Sequence, residues 1–203
     1  MAMIQDDPFR TSLLAYLDEL KARVSTDSGD WTVKGFIDIY KRVYTVSIDT
    51  KVLSKVLELL MFPVLVRFAQ EHDYRIVLAR AQNHYPDISL VSGDDSLCYA
   101  IDIKSTYRNP LDRQGNQRVS GMTLGTFGGY FRLRDRIISS TFPYSRYDKH
   151  YVLGVVYSRV EGIDEREVYD ISELERIPSV VRDFEFFFHE KYRIASDGPG
   201  SGN

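Results

Sequence analysis

Pro86-Asp87-Ile88-Ser89-Leu90-Val91-Ser92-Gly93-Asp94-Asp95-Ser96-Leu97-Cys98-Tyr99-Ala100-Ile101-Asp102-Ile103-Lys104 is the stretch that decides how the chain is read. It predicts two strands, 87–92 and 97–105, joined by the turn-forming run Gly93 to Ser96. Side chains alternate along a strand, so Asp102 and Lys104 share one face while Ile101 and Ile103 turn to the core on the other. The short connection brings Asp87, fifteen residues before Asp102, alongside it. Two carboxylates and an ammonium then occupy one side of a sheet, where the carboxylates repel each other unless a divalent cation stands between them. Oxygen donors without a His or Cys partner suit a hard cation such as Mg²⁺, which keeps several waters and favours phosphate as a further ligand. The chemistry expected of such a site is hydrolysis of a phosphodiester by a water that the metal makes more acidic. Lys104 would offset charge on the phosphoryl oxygens, or orient or deprotonate the water.

The bland alternative is an Asp87 that merely follows a turn-forming proline, with Asp102 and Lys104 as an exposed same-face ion pair. For an arbitrary chain that is the commoner outcome. Ala100, Ile101 and Ile103 count against it here, because they mark a mostly buried strand in which charged side chains need a reason to be tolerated.

Upstream, Asp6-Asp7-Pro8 reads as a helix start, and Leu13, Leu14, Leu17 and Leu20 keep helical spacing to about Val24. Residues 25–31 read as a loop and 36–46 as a strand. A second helix begins near Asp49, with Val52, Leu53, Val56, Leu57, Leu60, Val64 and Phe68 as its apolar positions, Pro63 as an expected kink and Glu58 on its length. A strand over 74–79 precedes the two already described, making a three-strand meander. Residues 106–126 read as a long loop of the kind that touches ligands. Residues 132–138 and 171–177 read as helices, 150–159 as a buried strand, and 184–194 as an aromatic strand or strand pair. Glu58, one helix away from the carboxylates, either completes their set or holds a water beside the metal.

The chain has 203 residues, 43% of them apolar and 27% charged, so one domain with an ordinary core is the default. No apolar run approaches the roughly twenty residues of a membrane span, and Asp6, Asp7 and Arg10 stand where a signal peptide would need an apolar stretch. The expectation is a cytoplasmic protein with no membrane partner. The lone Cys98 excludes cysteine-rich metal modules. The net charge of −3 conceals an uneven distribution: from Lys104 to Arg136 the balance is +5, which leaves −8 on the remainder. A basic segment on an acidic body fits a cleft that faces DNA, and a solvated charged loop equally. His72, His84, His150 and His189 are scattered without paired spacing and are assigned no chemistry. The run Phe184, Phe186, Phe187 and Phe188 reads as packing rather than as a platform for unpaired bases.

Gln82-Asn83-His84-Tyr85-Pro86-Asp87 together with Ala100-Ile101-Asp102-Ile103-Lys104 closely resembles the EcoRV-like family of type II restriction endonucleases, within the PD-(D/E)xK nucleases. Residues 49–54 leading to Glu58, Thr123-Leu124-Gly125, Tyr157-Ser158-Arg159-Val160 and Gly200-Ser201-Gly202-Asn203 extend the likeness in the same order, and it is weak before Asp49. The resemblance implies an α+β fold, a mixed central β-sheet flanked by helices. It implies Asp87 and Asp102 as metal-binding carboxylates, Lys104 as the catalytic lysine, Glu58 as an auxiliary acid and Mg²⁺ as cofactor. Gln82 and Asn83 fall where that family lies near the DNA minor groove, and Thr106 near the backbone of the bound site. Gly200, Ser201, Gly202 and Asn203 resemble the start of the loop that reads base edges in the major groove. That loop continues in the family into a C-terminal subdomain, so the 203 residues read as ending inside it, as a fragment or a truncated product. The implied partner is double-stranded DNA, met by a homodimer whose two-fold symmetry matches a palindromic site. The segment 36–46 is expected among its dimer contacts.

Three functions are carried forward: a site-specific restriction endonuclease, a repair or recombination nuclease of the same fold, and a fragment that binds DNA without cutting. The run from Gln82 to Asp87 favours the first over the second, since it matches a restriction enzyme beyond the minimal catalytic set. A methyltransferase gene beside this one, and a reading frame continuing past Asn203, would separate the first from the third.

Overall fold

A computed structural model describes residues 7–79, 81, 84–124, 134–135, 139–164 and 167–195. Asp7 caps helix α1 (Pro8–Leu14), its carboxylate accepting from the Arg10 N–H at 3.1 Å, and Pro8 fills the first helical turn, where its missing donor costs nothing. The single helix expected as far as Val24 is in fact two. Helix α1 stops at Leu14 and α2 (Leu17–Val24) restarts beyond Tyr16, whose ring packs edge-on against Phe68 while its hydroxyl donates to Glu71. Tertiary contact outweighs helix propensity at this point.

The strand expected over 36–46 is likewise a hairpin, β1 (Gly35–Ile37) and β2 (Arg42–Thr45). The Asp38 carboxylate accepts from the N–H groups of Tyr40 and Arg42 at 2.9 and 3.0 Å, and Lys41 takes a positive φ of 64° to close the turn. Helix α3 (Thr50–Glu71) begins where expected, with the Asp49 carboxylate accepting from the Lys51 and Val52 N–H groups, and runs on through Pro63.

The meander is present as read: β3 (Tyr74–Leu78), β4 (Ile88–Ser92) and β5 (Cys98–Arg108) pair antiparallel. Strand β6 (Lys149–Arg159) joins β5 in parallel, and β8 (Val181–Glu190) closes the sheet antiparallel to β6. The order β3-β4-β5-β6-β8 is a mixed five-stranded sheet flanked by helices, an α+β architecture. A separate small sheet, β1-β2-β7, uses the three-residue β7 (Val168–Asp170).

Three further readings need correction. Strand β5 runs three residues past Ser105 into the expected loop, and Arg108 then bridges back to Val119. Between them Asp112 organises a turn by accepting from the Gln114 and Asn116 N–H groups. Residues 171–176 form a 3-10 helix with a capping box between Asp170 and Glu173. The 184–194 segment is one strand followed by the short helix α4 (Lys191–Ile194). The helix expected over 132–138 lies outside the described residues except at 134 and 135.

The alternation along β5 sorts two packing layers. Ile101 and Ile103 join Phe9, Leu57 and Phe68 under the helices, whereas Ala100 faces the opposite side with Tyr85, Tyr144 and Tyr147. On β6, Gly154 leaves room for the Phe187 ring, whose nearest atom would stand 1.9 Å from an added Cβ. Phe184 and Phe188 are core residues, as the packing reading of the aromatic run requires. Among the described residues no helix is long and apolar enough to cross a membrane.

The two faces of α3 give a direct test of this packing. Leu57 is buried and Leu59 is exposed, so Leu57→Ala is expected to cost about 2–5 kcal/mol in chemical denaturation. Leu59→Ala should stay within about 0.5 kcal/mol of the parent.

Candidate active site

Strand register brings the acidic pair together. Ile88 stands opposite Ile101 in the antiparallel β4–β5 pair, so the register carried one step further sets Asp87 level with Asp102. The Asp87 carboxylate is tied to β5: its Oδ2 accepts from the Ile103 N–H at 2.8 Å and from Lys104 Nζ at 3.4 Å. Its side chain is 35% exposed, against 27% for Lys104. These two groups look out from the sheet, and Asp102 does not.

Asp102 is 2% exposed. Its Oδ2 accepts from Lys191 Nζ at 2.7 Å and lies 3.3 Å from Nε2 of His150 on β6. Lys191 opens α4 directly after β8 and is itself 1% exposed, with Nζ 4.8 Å from the centre of the Tyr85 ring. The Tyr85 hydroxyl in turn meets the His150 ring. The catalytic carboxylate named from sequence therefore sits inside a polar cluster, covered by Tyr85 and Tyr144, rather than on an open surface.

Burial raises the Asp102 carboxyl above the ordinary carboxylate range, against the pull of Lys104 and Lys191. Burial also works to lower Lys104, but the charges of Asp102, Asp87 and Glu58 outweigh it and hold the ammonium above its usual range. Lys191 is lowered, because its burial exceeds what Asp102 gives back. Burial and the Lys191 charge push His150 down to about 2, so its ring is neutral at physiological pH.

Glu58 lies on the α3 turn that follows Ser54, whose hydroxyl is 2.7 Å from that of Ser105 on β5. This contact docks the helix on the strand that carries Asp102 and Lys104. Glu58 pairs with Lys55 at 2.7 Å and adds to the field that keeps Lys104 protonated. All four residues named from sequence thus fall within one electrostatic neighbourhood. Thr106 is buried, its hydroxyl donating to the Ser120 carbonyl at 2.7 Å. Gln82, Asn83, Gly200, Ser201, Gly202 and Asn203 lie outside the described residues.

Each acidic side chain of the set is balanced by a lysine: Glu58 by Lys55, Asp87 by Lys104 and Asp102 by Lys191. The repulsion that the sequence reading assigned to a metal is relieved in this arrangement by ammonium groups. Among the described residues no three His, Cys, Asp or Glu side chains already converge as a metal-binding group. The donor chemistry fits a hard cation, since it consists of carboxylate oxygens, two of them on partly exposed side chains.

A model of the restriction endonuclease EcoRV family matches residues 27–203. The chain belongs to this family. It is 34% identical over 175 residues to the type II restriction enzyme EcoRV of Escherichia coli, across 85% of this chain and 69% of that enzyme. The family match begins at residue 27, and so takes in the β1–β2 hairpin, where the resemblance read from sequence was weak.

Sequence reasoning missed Lys191, and named His150 as a histidine without chemistry but not as a neighbour of Asp102. A histidine near the start of an otherwise apolar buried strand was the available signal for the second. Nothing marked the first, because lysine is almost never fully buried unless paired. The pair invites a double-mutant cycle. Lys191→Met is expected to destabilise the fold by about 3–5 kcal/mol by leaving Asp102 without a counter-charge. In the Asp102→Asn background the same change should cost far less, as read by urea denaturation.

Proposed function

We propose that the protein is a Mg²⁺-dependent type II endonuclease that hydrolyses phosphodiester bonds within a short palindromic duplex site and leaves 5′-phosphate ends. The observation that carries this reading is the juxtaposition of Asp87, Asp102 and Lys104 at the β4–β5 pair, with Glu58 on the adjoining helix, in a chain of the EcoRV family. Asp87, Asp102 and Glu58 would hold the cation. When bound, Mg²⁺ supplies a water of lowered pKa and charge neutralisation at the phosphoryl group.

The protein's own contribution is positional and electrostatic. The Ile103 N–H fixes the Asp87 carboxylate, so one acidic group is oriented by backbone rather than by a mobile side chain. Without the cation, the charges of Asp102, Asp87 and Glu58 hold the Lys104 ammonium above its usual range; beside a bound phosphate Lys104 would offset negative charge developing on the phosphoryl oxygens, or orient or deprotonate the water. Gln82 and Asn83, Thr106, and Gly200 to Asn203 are the proposed DNA-contacting positions, in the minor groove, at the backbone and in the major groove respectively. The catalytic residues lie in one domain, and the cytoplasm is the proposed place of action.

A homodimer accompanies this reading, because a palindrome presents two equivalent strands to be cut. The small sheet offers a surface for it: Phe36 stands opposite Tyr44 and Tyr44 opposite Val168, all three are exposed, and Ile39 in the adjoining turn is 88% exposed. Apolar side chains grouped in this way mark an interface more often than free surface. Phe36→Asp with Ile39→Asp is expected to shift the sedimentation coefficient from dimer to monomer, with the far-ultraviolet spectrum unchanged.

Cleavage of plasmid and phage DNA tests the chemistry. Discrete fragments are expected with Mg²⁺ and none with EDTA, and Asp102→Ala and Lys104→Ala should each lower the rate by about 100-fold or more. Intact DNA in every lane, from protein shown to be folded, would refute the enzyme reading.

A further inference from the structure

An ammonium leaves water only where opposite charge receives it, and Lys191, 1% exposed, is received by Asp102 Oδ2 at 2.7 Å. The Tyr85 ring 4.8 Å away adds a weaker attraction through its electron-rich face. Lys191 also borders a cleft of about 230 Å³, lined among others by Tyr144, Lys149, His150 and Glu190. The side chain therefore borders space into which it can shift, with the Glu190 carboxylate on the wall already shared by Lys149 at 3.4 Å and Arg193 at 2.6 Å. Lys191 takes no part in the chemistry proposed above, yet it holds the most deeply buried acid of the set.

We propose that Lys191 is a built-in counter-ion that competes with the divalent cation for Asp102, and so sets the affinity for that cation when no DNA is bound. This rests on the reading of Asp102 as a cation ligand. A carboxylate whose charge is already balanced attracts a dication weakly, and a fixed positive charge in contact with it repels the newcomer. Lys191 and His150 both engage Oδ2, so a cation approaching either oxygen of Asp102 meets the full charge of Lys191 unless that side chain shifts towards the cleft. The opposite role, in which the ammonium merely orients the carboxylate for the metal, makes the opposite forecast: outer partners of a metal ligand usually strengthen binding, and their loss weakens it about 10–100-fold.

Mn²⁺ alone is the probe. It is titrated into the full chain without DNA at pH 8.5, with the free ion counted by electron paramagnetic resonance. Lys191→Met and Lys191→Gln are expected to bind Mn²⁺ about tenfold tighter than the parent or more, Lys191→Arg to match the parent, and Asp102→Asn to lose the site. Lys191→Gln keeps a hydrogen-bond donor without the charge, and it carries the test if circular dichroism shows that Lys191→Met does not fold. Equal or weaker binding in the uncharged variants, beside a parent that does bind, would overturn the competition and leave Asp102 as a ligand. No Mn²⁺ uptake by the parent or by any Lys191 variant would instead overturn the reading of Asp102 itself.

Discussion

The ion pair between Asp102 and Lys191 is the constraint on which the rest of the site depends. A carboxylate taken out of water in the middle of a sheet costs several kcal/mol unless a partner compensates it. That partner comes from 89 residues further along the chain, at the junction of β8 and α4. The pair therefore joins the central strand to the last strand on the far side of β6. His150, neutral and within reach of the same oxygen, and Tyr85, packed over Lys191, complete an enclosure that keeps water from the acid. Within this enclosure the charge of Asp102 is neither quenched by solvent nor free to move.

Around that fixed point the mixed sheet arranges groups of graded exposure. Strand β5 contributes Asp102 to the interior and Lys104 towards the surface, two residues apart on one face. The chain entering β4 adds Asp87, locked by a main-chain donor, and α3 brings Glu58 in through the contact of Ser54 with Ser105. The helices do this by burying their own apolar face on the Ile101/Ile103 side of the sheet, while a smaller cluster with Tyr85, Tyr144 and Tyr147 packs on the side that Ala100 and Asp102 share. Family membership, sheet topology and the grouping of these four side chains agree at each level, from local pattern to global fold.

Much of this was legible in the chain because it rests on period and on caps. Two-residue alternation marked β4 and β5, and with them the shared face of Asp102 and Lys104. Asp49 marked the start of α3, and the aromatic run declared itself as core. What stayed hidden depends on long-range contact. The break after Leu14 follows from Tyr16 meeting Phe68 and Glu71, which no local pattern announces. The turn between β1 and β2 uses Lys41 at positive φ, where a glycine or asparagine would have signalled it. Lys191 was invisible for the same reason. Its burial is decided by Asp102, which lies far away in sequence, and a lysine beside a glutamate ordinarily reads as surface.

The most direct test of the assignment of this face as a cation and phosphate site is the anomalous density of a crystal grown with duplex DNA and Mn²⁺. The arrangement described here predicts a Mn²⁺ peak bracketed by the carboxylates of Asp87 and Asp102, beside a backbone phosphate that Lys104 approaches. Peaks found only elsewhere, with Asp102 still held by Lys191 and no phosphate near Lys104, would contradict it.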